Sequence, residues 1–107
     1  MGYRILLCGD IGERGIEMLL SGNGSSGVGV SADIIEVPHH GGFIVNTGDL
    51  VKNVRPGHAI INGLAKDISP STIGDYQKHG VSLHKTHENG AVTYTIDKEG
   101  IKVSTFL

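Results

Sequence analysis

Apolar residues fall along this chain in short runs, and the runs alternate between two periods. Residues 3–8 (YRILLC) end at Gly9-Asp10, and residues 32–37 (ADIIEV) end at Pro38. Short apolar stretches stopped by glycine or proline predict buried strands, and residues 58–62 (HAIIN) read the same way. Between the first two, Ile11, Ile16, Met18, Leu19 and Leu20 favour one side of a 3.6-residue repeat, which predicts a helix over residues 11–20. Asp10 is placed to be its N-cap with Glu13 completing a capping box, and Gly15 weakens it. Residues 47–54 predict a second helix, capped by Thr47 and ended by Arg55-Pro56. Ser69-Pro70 opens a third that runs to about His79, with Gly80 at its C′ position.

Beyond Gly80 the period changes to two. Residues 81–85, 91–96 and 101–106 alternate in strand fashion, separated by Glu88-Asn89-Gly90 and Lys98-Glu99-Gly100, both hairpin-type turns. Residues 21–29 (SGNGSSGVG) predict a surface loop. The order β-α-β-α-β-α-β, followed by a hairpin, predicts an α/β fold with helices packed on a sheet and the last strands finishing an edge. No internal repeat is visible. At 107 residues one domain is expected, spanning residues 1–107.

Composition narrows the function classes. A net charge of −2, with no Lys/Arg run of five or more, argues against a surface that holds nucleic acid by electrostatics alone. The scarcity of aromatic residues argues equally against a base-stacking platform. Cys8 is the only cysteine, so no intramolecular disulfide can form. No apolar stretch is long enough to cross a membrane and no signal-peptide pattern follows Met1, so a soluble segment is expected.

In α/β folds ligands gather at the carboxyl ends of the strands. Asp10 follows the first strand and His39-His40 follow the second, so the three side chains meet on one rim if those strands are neighbours. Aspartate and histidine are ligands that zinc, manganese or iron accept. Gly9 and Gly41-Gly42 allow sharp turns and close approach of the backbone to a bound group. Two plainer readings stand beside this one: Asp10 as a helix cap only, and His39-His40 as a hydrogen-bonded turn. His84 and His87 form an HxxH pair on a strand entering a turn, read as surface or turn histidines. His58 begins a strand, and His79 ends a helix, where its charged form suits the helix dipole.

The stretches ILLCGDIGERGIEMLL, ADIIEVPHHGG, RPGHAIING and LHKTHENGAVTYTI, in that order, resemble the C-terminal half of the metallo-β-lactamase-like domain of ComEC-type DNA-internalisation (competence) proteins. They are similar also to the same half of free-standing hydrolases of that superfamily. The resemblance covers nearly the whole chain and is most specific in the strand-Gly-Asp-helix and Val-Pro-His-His-Gly units. Cys8 and Gly42 depart from the usual Thr-Gly-Asp and Pro-His-His-Gly-Ser.

The resemblance implies half of an αββα sandwich, with a mixed sheet, three helices and a C-terminal β-hairpin. It implies Asp10 as the carboxylate bridging two divalent metal ions, zinc or manganese, and His40 as a late histidine ligand. His39 would contact a substrate phosphate, although which of the two histidines ligates stays open. The chemistry implied is metal-assisted hydrolysis of phosphodiesters, in a domain outside the cytoplasm; otherwise a cytoplasmic location is expected.

Departures set limits on this expectation. The superfamily's His-x-His-x-Asp-His motif belongs to the other half of the domain and is absent here. A zinc site needs three or four protein ligands, so this chain by itself is expected to bind metal weakly or not at all and to hydrolyse nothing. Where relatives often carry Gly-His-Pro, this chain has Ile68-Ser69-Pro70. The chain is then either a piece of a longer protein, with Met1-Gly2 added as a start, or a small protein that kept the fold and lost the chemistry. Its expected partners are the missing N-terminal half, DNA through the parent protein, or a second copy, with no membrane contact of its own. The alternatives are a non-catalytic binding or dimerisation module, or half of a hydrolase with another substrate.

Overall fold

The computed structural model describes residues 2–26 and 29–106. Met1, Gly27, Val28 and Leu107 lie outside the described residues, and with them part of the expected start and of the expected loop.

Four short strands, β1 (Ile5–Leu7), β2 (Ile34–Glu36), β3 (His58–Ile61) and β4 (Ser82–Lys85), form one sheet in the order β1-β2-β3-β4. All three pairings are parallel. Helices connect the strands: α1 (Glu13–Ser26), α2 (Thr47–Val54) and α3 (Pro70–Gln77). A single helical turn, α4 (Thr86–Asn89), follows β4. The chain then forms β5 (Val92–Asp97) and β6 (Gly100–Thr105), an antiparallel pair that makes its own two-stranded sheet. The fold is α/β, as the alternation of periods predicted.

Register explains which side chains face which way. Leu6, Ile35, Ala59 and Leu83 lie side by side across the four strands. With Cys8, Val37 and Ile61 they meet Ile16 of α1, Leu50, Val51 and Val54 of α2, and Tyr76 of α3 in one apolar cluster. Each fully buried Ile, Leu or Val there contributes about 1.5–3 kcal/mol from leaving water. The opposite face carries Ile5, Ile34 and His58 in one row and Leu7, Glu36, Ile60 and His84 in the next. Tyr94 of β5 covers its β3–β4 half, with its ring edge-to-face against His58 at 5.6 Å and against His84 at 6.3 Å. Its hydroxyl donates to the Ala59 carbonyl at 3.4 Å. On the β1 side, Ile5 is 54% and Leu7 75% exposed.

Five expectations need correction. Helix α1 starts at Glu13, with the Gly12 carbonyl taking its first bond from Ile16, so Asp10 is not its cap. Its early turns need Gly15, because a β-carbon there would sit 2.8 Å from Cβ of Ile11. The helix continues to Ser26, through much of the segment expected to be a loop. Thr47 lies inside α2 with its hydroxyl bonded to the Ile44 carbonyl, and Asn46 holds the cap position.

Residues 88–90 do not make a hairpin: β4 pairs with β3, and α4 turns the chain away. The strands therefore divide into a parallel sheet and a separate hairpin in place of one mixed sheet, and the helices number four with α4. Residues 98–99 do form the second expected hairpin turn, since Asp97 pairs with Gly100.

Among the described residues no helix is long and apolar enough to cross a membrane.

Candidate metal centre

The four strand ends deliver one polar residue each to the same rim. Gly9-Asp10 follows β1, the turn Pro38–Gly41 follows β2, Asn62-Gly63 follows β3, and Thr86 follows β4. Because β1 and β2 are neighbours, the condition for Asp10 and the histidine pair to meet is fulfilled.

Backbone contacts lock the first two loops together. The N–H of Gly9 donates to Oε1 of Glu36 at 2.8 Å, and the Gly9 carbonyl accepts from the N–H of His39 at 2.9 Å. Glu36 closes β2, so its carboxylate anchors the turn that presents Asp10. After buried Pro38, the chain passes through three consecutive residues of positive φ: His39 (57°), His40 (54°) and Gly41 (82°). Left-handed backbone costs a non-glycine residue about 1–2 kcal/mol, and such strain persists only where surrounding contacts enforce it. Gly41 leaves no room for a side chain, since a β-carbon there would lie 2.9 Å from Cγ2 of Ile61. The start of α3 holds the turn, with the N–H of Ser69 on the Gly41 carbonyl at 2.9 Å and the Thr72 hydroxyl on the Gly42 carbonyl at 3.2 Å.

This turn aims the imidazole of His40 into a cleft of about 180 Å³ lined by Gly9, Asp10, Glu36, Val37, His40 and Asn62. Nδ1 of His40 lies 2.7 Å from the Asn62 carbonyl oxygen. A carbonyl only accepts, so Nδ1 carries the proton. Nε2 faces Oδ1 of Asp10 at 3.3 Å. In the neutral ring that nitrogen has a bare lone pair, and two acceptors then point at each other. A cation between them, or a second proton on the ring, resolves the conflict.

The spacing speaks for a metal ion as a fitting occupant. A charge-assisted N–H···O⁻ bond closes to about 2.7–2.9 Å. Two donors held at about 2.0–2.2 Å from a tetrahedral zinc stand ~3.3 Å apart. A histidine that ligates through one nitrogen while donating from the other to a carbonyl is the usual arrangement around metals. The pair fits one edge of a coordination sphere and no more: among the described residues no group of three or more His, Cys, Asp or Glu side chains is placed to hold an ion. Both side chains are open to solvent, 57% exposed for His40 and 76% for Asp10, so an ion pair alone stabilises the fold little.

His39 is exposed and is not among the residues lining the cleft. Its backbone N–H joins the rim through the bond to Gly9. His84 and His87 do not approach the rim pair: His84 packs on Tyr94, and Nε2 of His87 lies 3.8 Å from Glu88. His79, just past the end of α3, donates from Nδ1 to the Asp75 carbonyl at 2.9 Å. Cys8, just under the rim, is buried; burial first and the charge of Glu36 second push its thiol up to about 11. Glu36, Asn62 and Thr86 carry no signal of their own in the sequence reading. A search for polar residues at every strand's carboxyl end finds Glu36 and Thr86, whereas Asn62 acts through its backbone carbonyl, which such a search does not read.

Searches against protein-family models, curated proteins and solved structures found no significant match to this chain.

Proposed function

We propose that this chain carries one side of a divalent-metal site of the metallo-β-lactamase type, as the C-terminal half of a phosphodiesterase or nuclease domain resembling that of ComEC-type competence proteins. The observation that carries the reading is the Asp10–His40 pair, with Nδ1 of His40 committed to a carbonyl and Nε2 facing the carboxylate at 3.3 Å. The architecture supports it as well, because all three long helices pack on one face of the sheet and leave the β1 side of the other face open, as half of a sandwich would.

In the completed domain Asp10 and His40 would hold zinc or manganese, which supplies a water of lowered pKa and a clamp for phosphate oxygens. The remaining ligands come from the missing half, with DNA reached through the parent protein. This chain's own contribution is to hold a carboxylate and an imidazole 3.3 Å apart on one rim of the sheet.

A phosphodiesterase assay on the isolated chain, with bis(p-nitrophenyl) phosphate and millimolar Mn²⁺ or Zn²⁺, tests the incompleteness directly. No turnover is expected. Turnover that Asp10→Ala abolishes would show that the chain completes the site unaided.

The exposure of Leu7 and Ile5 on the open face supports a second reading, a binding module that pairs with another copy of itself. Sedimentation velocity over a hundredfold concentration range separates the two. A concentration-dependent dimer favours the module, and a strict monomer removes it.

A further inference from the structure

The Asn62–Gly63 peptide unit is gripped from both sides. Its carbonyl accepts the Nδ1 proton of His40 at 2.7 Å, and its N–H donates to the hydroxyl oxygen of Thr86 at 3.2 Å. A trans peptide is planar with its C=O and N–H pointing in opposite directions, so fixing one end aims the other. The partner at each end comes from a different strand junction: His40 from the end of β2, Thr86 from the end of β4. The pairing of Ile61 with Lys85 brings Thr86 alongside Asn62. A longer contact of 3.5 Å from the Thr86 hydroxyl to Oδ1 of Asn62 occupies the hydroxyl's own proton. Gly63 permits the close approach, since a β-carbon there would stand 3.1 Å from both Cβ and the carbonyl oxygen of His40.

We propose that Thr86 is a positioning residue for His40: by holding the N–H of the Asn62–Gly63 peptide it directs that peptide's carbonyl at Nδ1, and so fixes the imidazole in the Nδ1–H tautomer with the Nε2 lone pair toward Asp10. Without that direction the Nε2–H form returns and the lone pair leaves the rim. The consequence for metal affinity rests on the metal reading above; the tautomer itself does not.

The experiment is long-range ¹H–¹⁵N NMR of the full chain at about pH 8.5, where an imidazole is neutral, on wild type, Thr86→Val, Thr86→Ala and Thr86→Ser. Wild type and Thr86→Ser are expected to show His40 protonated on Nδ1. Thr86→Val is expected to move at least half of the population to the Nε2–H form, and Thr86→Ala gives the same reading should valine disturb folding. Zinc added to the same samples is expected to act on His40 of Thr86→Val about tenfold more weakly, as for an outer-shell partner.

A folded Thr86→Val or Thr86→Ala chain that keeps the Nδ1–H tautomer would overturn the proposal, and so would Thr86→Ser behaving like valine. A tautomer that shifts in the Thr86→Val chain, together with a wild-type His40 that ignores zinc, would overturn the metal reading and leave the positioning role standing.

Discussion

His40 stands in the turn after β2 and His84 lies within β4, two strands away in the same sheet, and the structure uses them in opposite ways. His40 stands on the rim, with one nitrogen bonded to a carbonyl and the other turned to a carboxylate in the open. His84, with His58, lies on the sheet face under the hairpin, its Nδ1 buried without a partner and its ring against the edge of Tyr94. An imidazole's role is set by what its second nitrogen meets. Tied to the main chain, the ring is held in one orientation; left bare among side chains, it is a flat surface that packs.

Five substitutions and a pH change probe that contrast and its surroundings. Tyr94→Ala removes the cover of the inner histidines and should cost about 2–4 kcal/mol in urea unfolding. The zinc response of His40 in the folded protein should survive it, and its disappearance would show that the two regions are one. Gly63→Ala acts on the other side, pushing against Cβ and the carbonyl of His40, with an expected loss of about 1–3 kcal/mol and a displaced His40 resonance. A silent substitution would mean that the close approach is not needed.

His84→Phe keeps the packing and discards a buried nitrogen that bonds to nothing, so stability should stay within about 1 kcal/mol of wild type. His39→Gly relieves a left-handed residue whose ring lies off the cleft, for a gain of about 0.5–1 kcal/mol and no change at His40. A loss of stability there would show that the His39 ring has a contact worth more than the strain.

The pH change acts through Cys8, whose thiol is raised from 9.0 to about 11 by burial and then by Glu36. A raised value favours the neutral form in the folded chain, so its stability term is whole below about pH 9 and fades as pH climbs toward 11. Urea midpoints should fall over that window, and Cys8→Ala should flatten the fall.

The rim was legible because it is written in side chains at turn positions: Gly9-Asp10 after one apolar run, Pro38-His39-His40 after the next. The parallel core was legible for the same reason, as short apolar strands alternating with helical periods. Three features were not. Asn62 works through its backbone carbonyl, which has no signature in the identity of the side chain. Residues 88–90 carry turn chemistry that suits a hairpin, yet Gly90, with φ at 69°, ends the single turn of α4 instead. The left-handed backbone of His39 and His40 leads into Gly41, which packs against Ile61 and is held by the start of α3, contacts between segments far apart in sequence.

The claim that Asp10 and His40 are one edge of a metal site is tested most directly by titrating Zn²⁺ into the ¹⁵N-labelled chain and following all six imidazoles by NMR. Nε2 of His40 is expected to shift first, at millimolar zinc, and Asp10→Ala to weaken that response by at least about tenfold. A response spread evenly over the exposed histidines, or one at His40 that Asp10→Ala leaves unchanged, would contradict it.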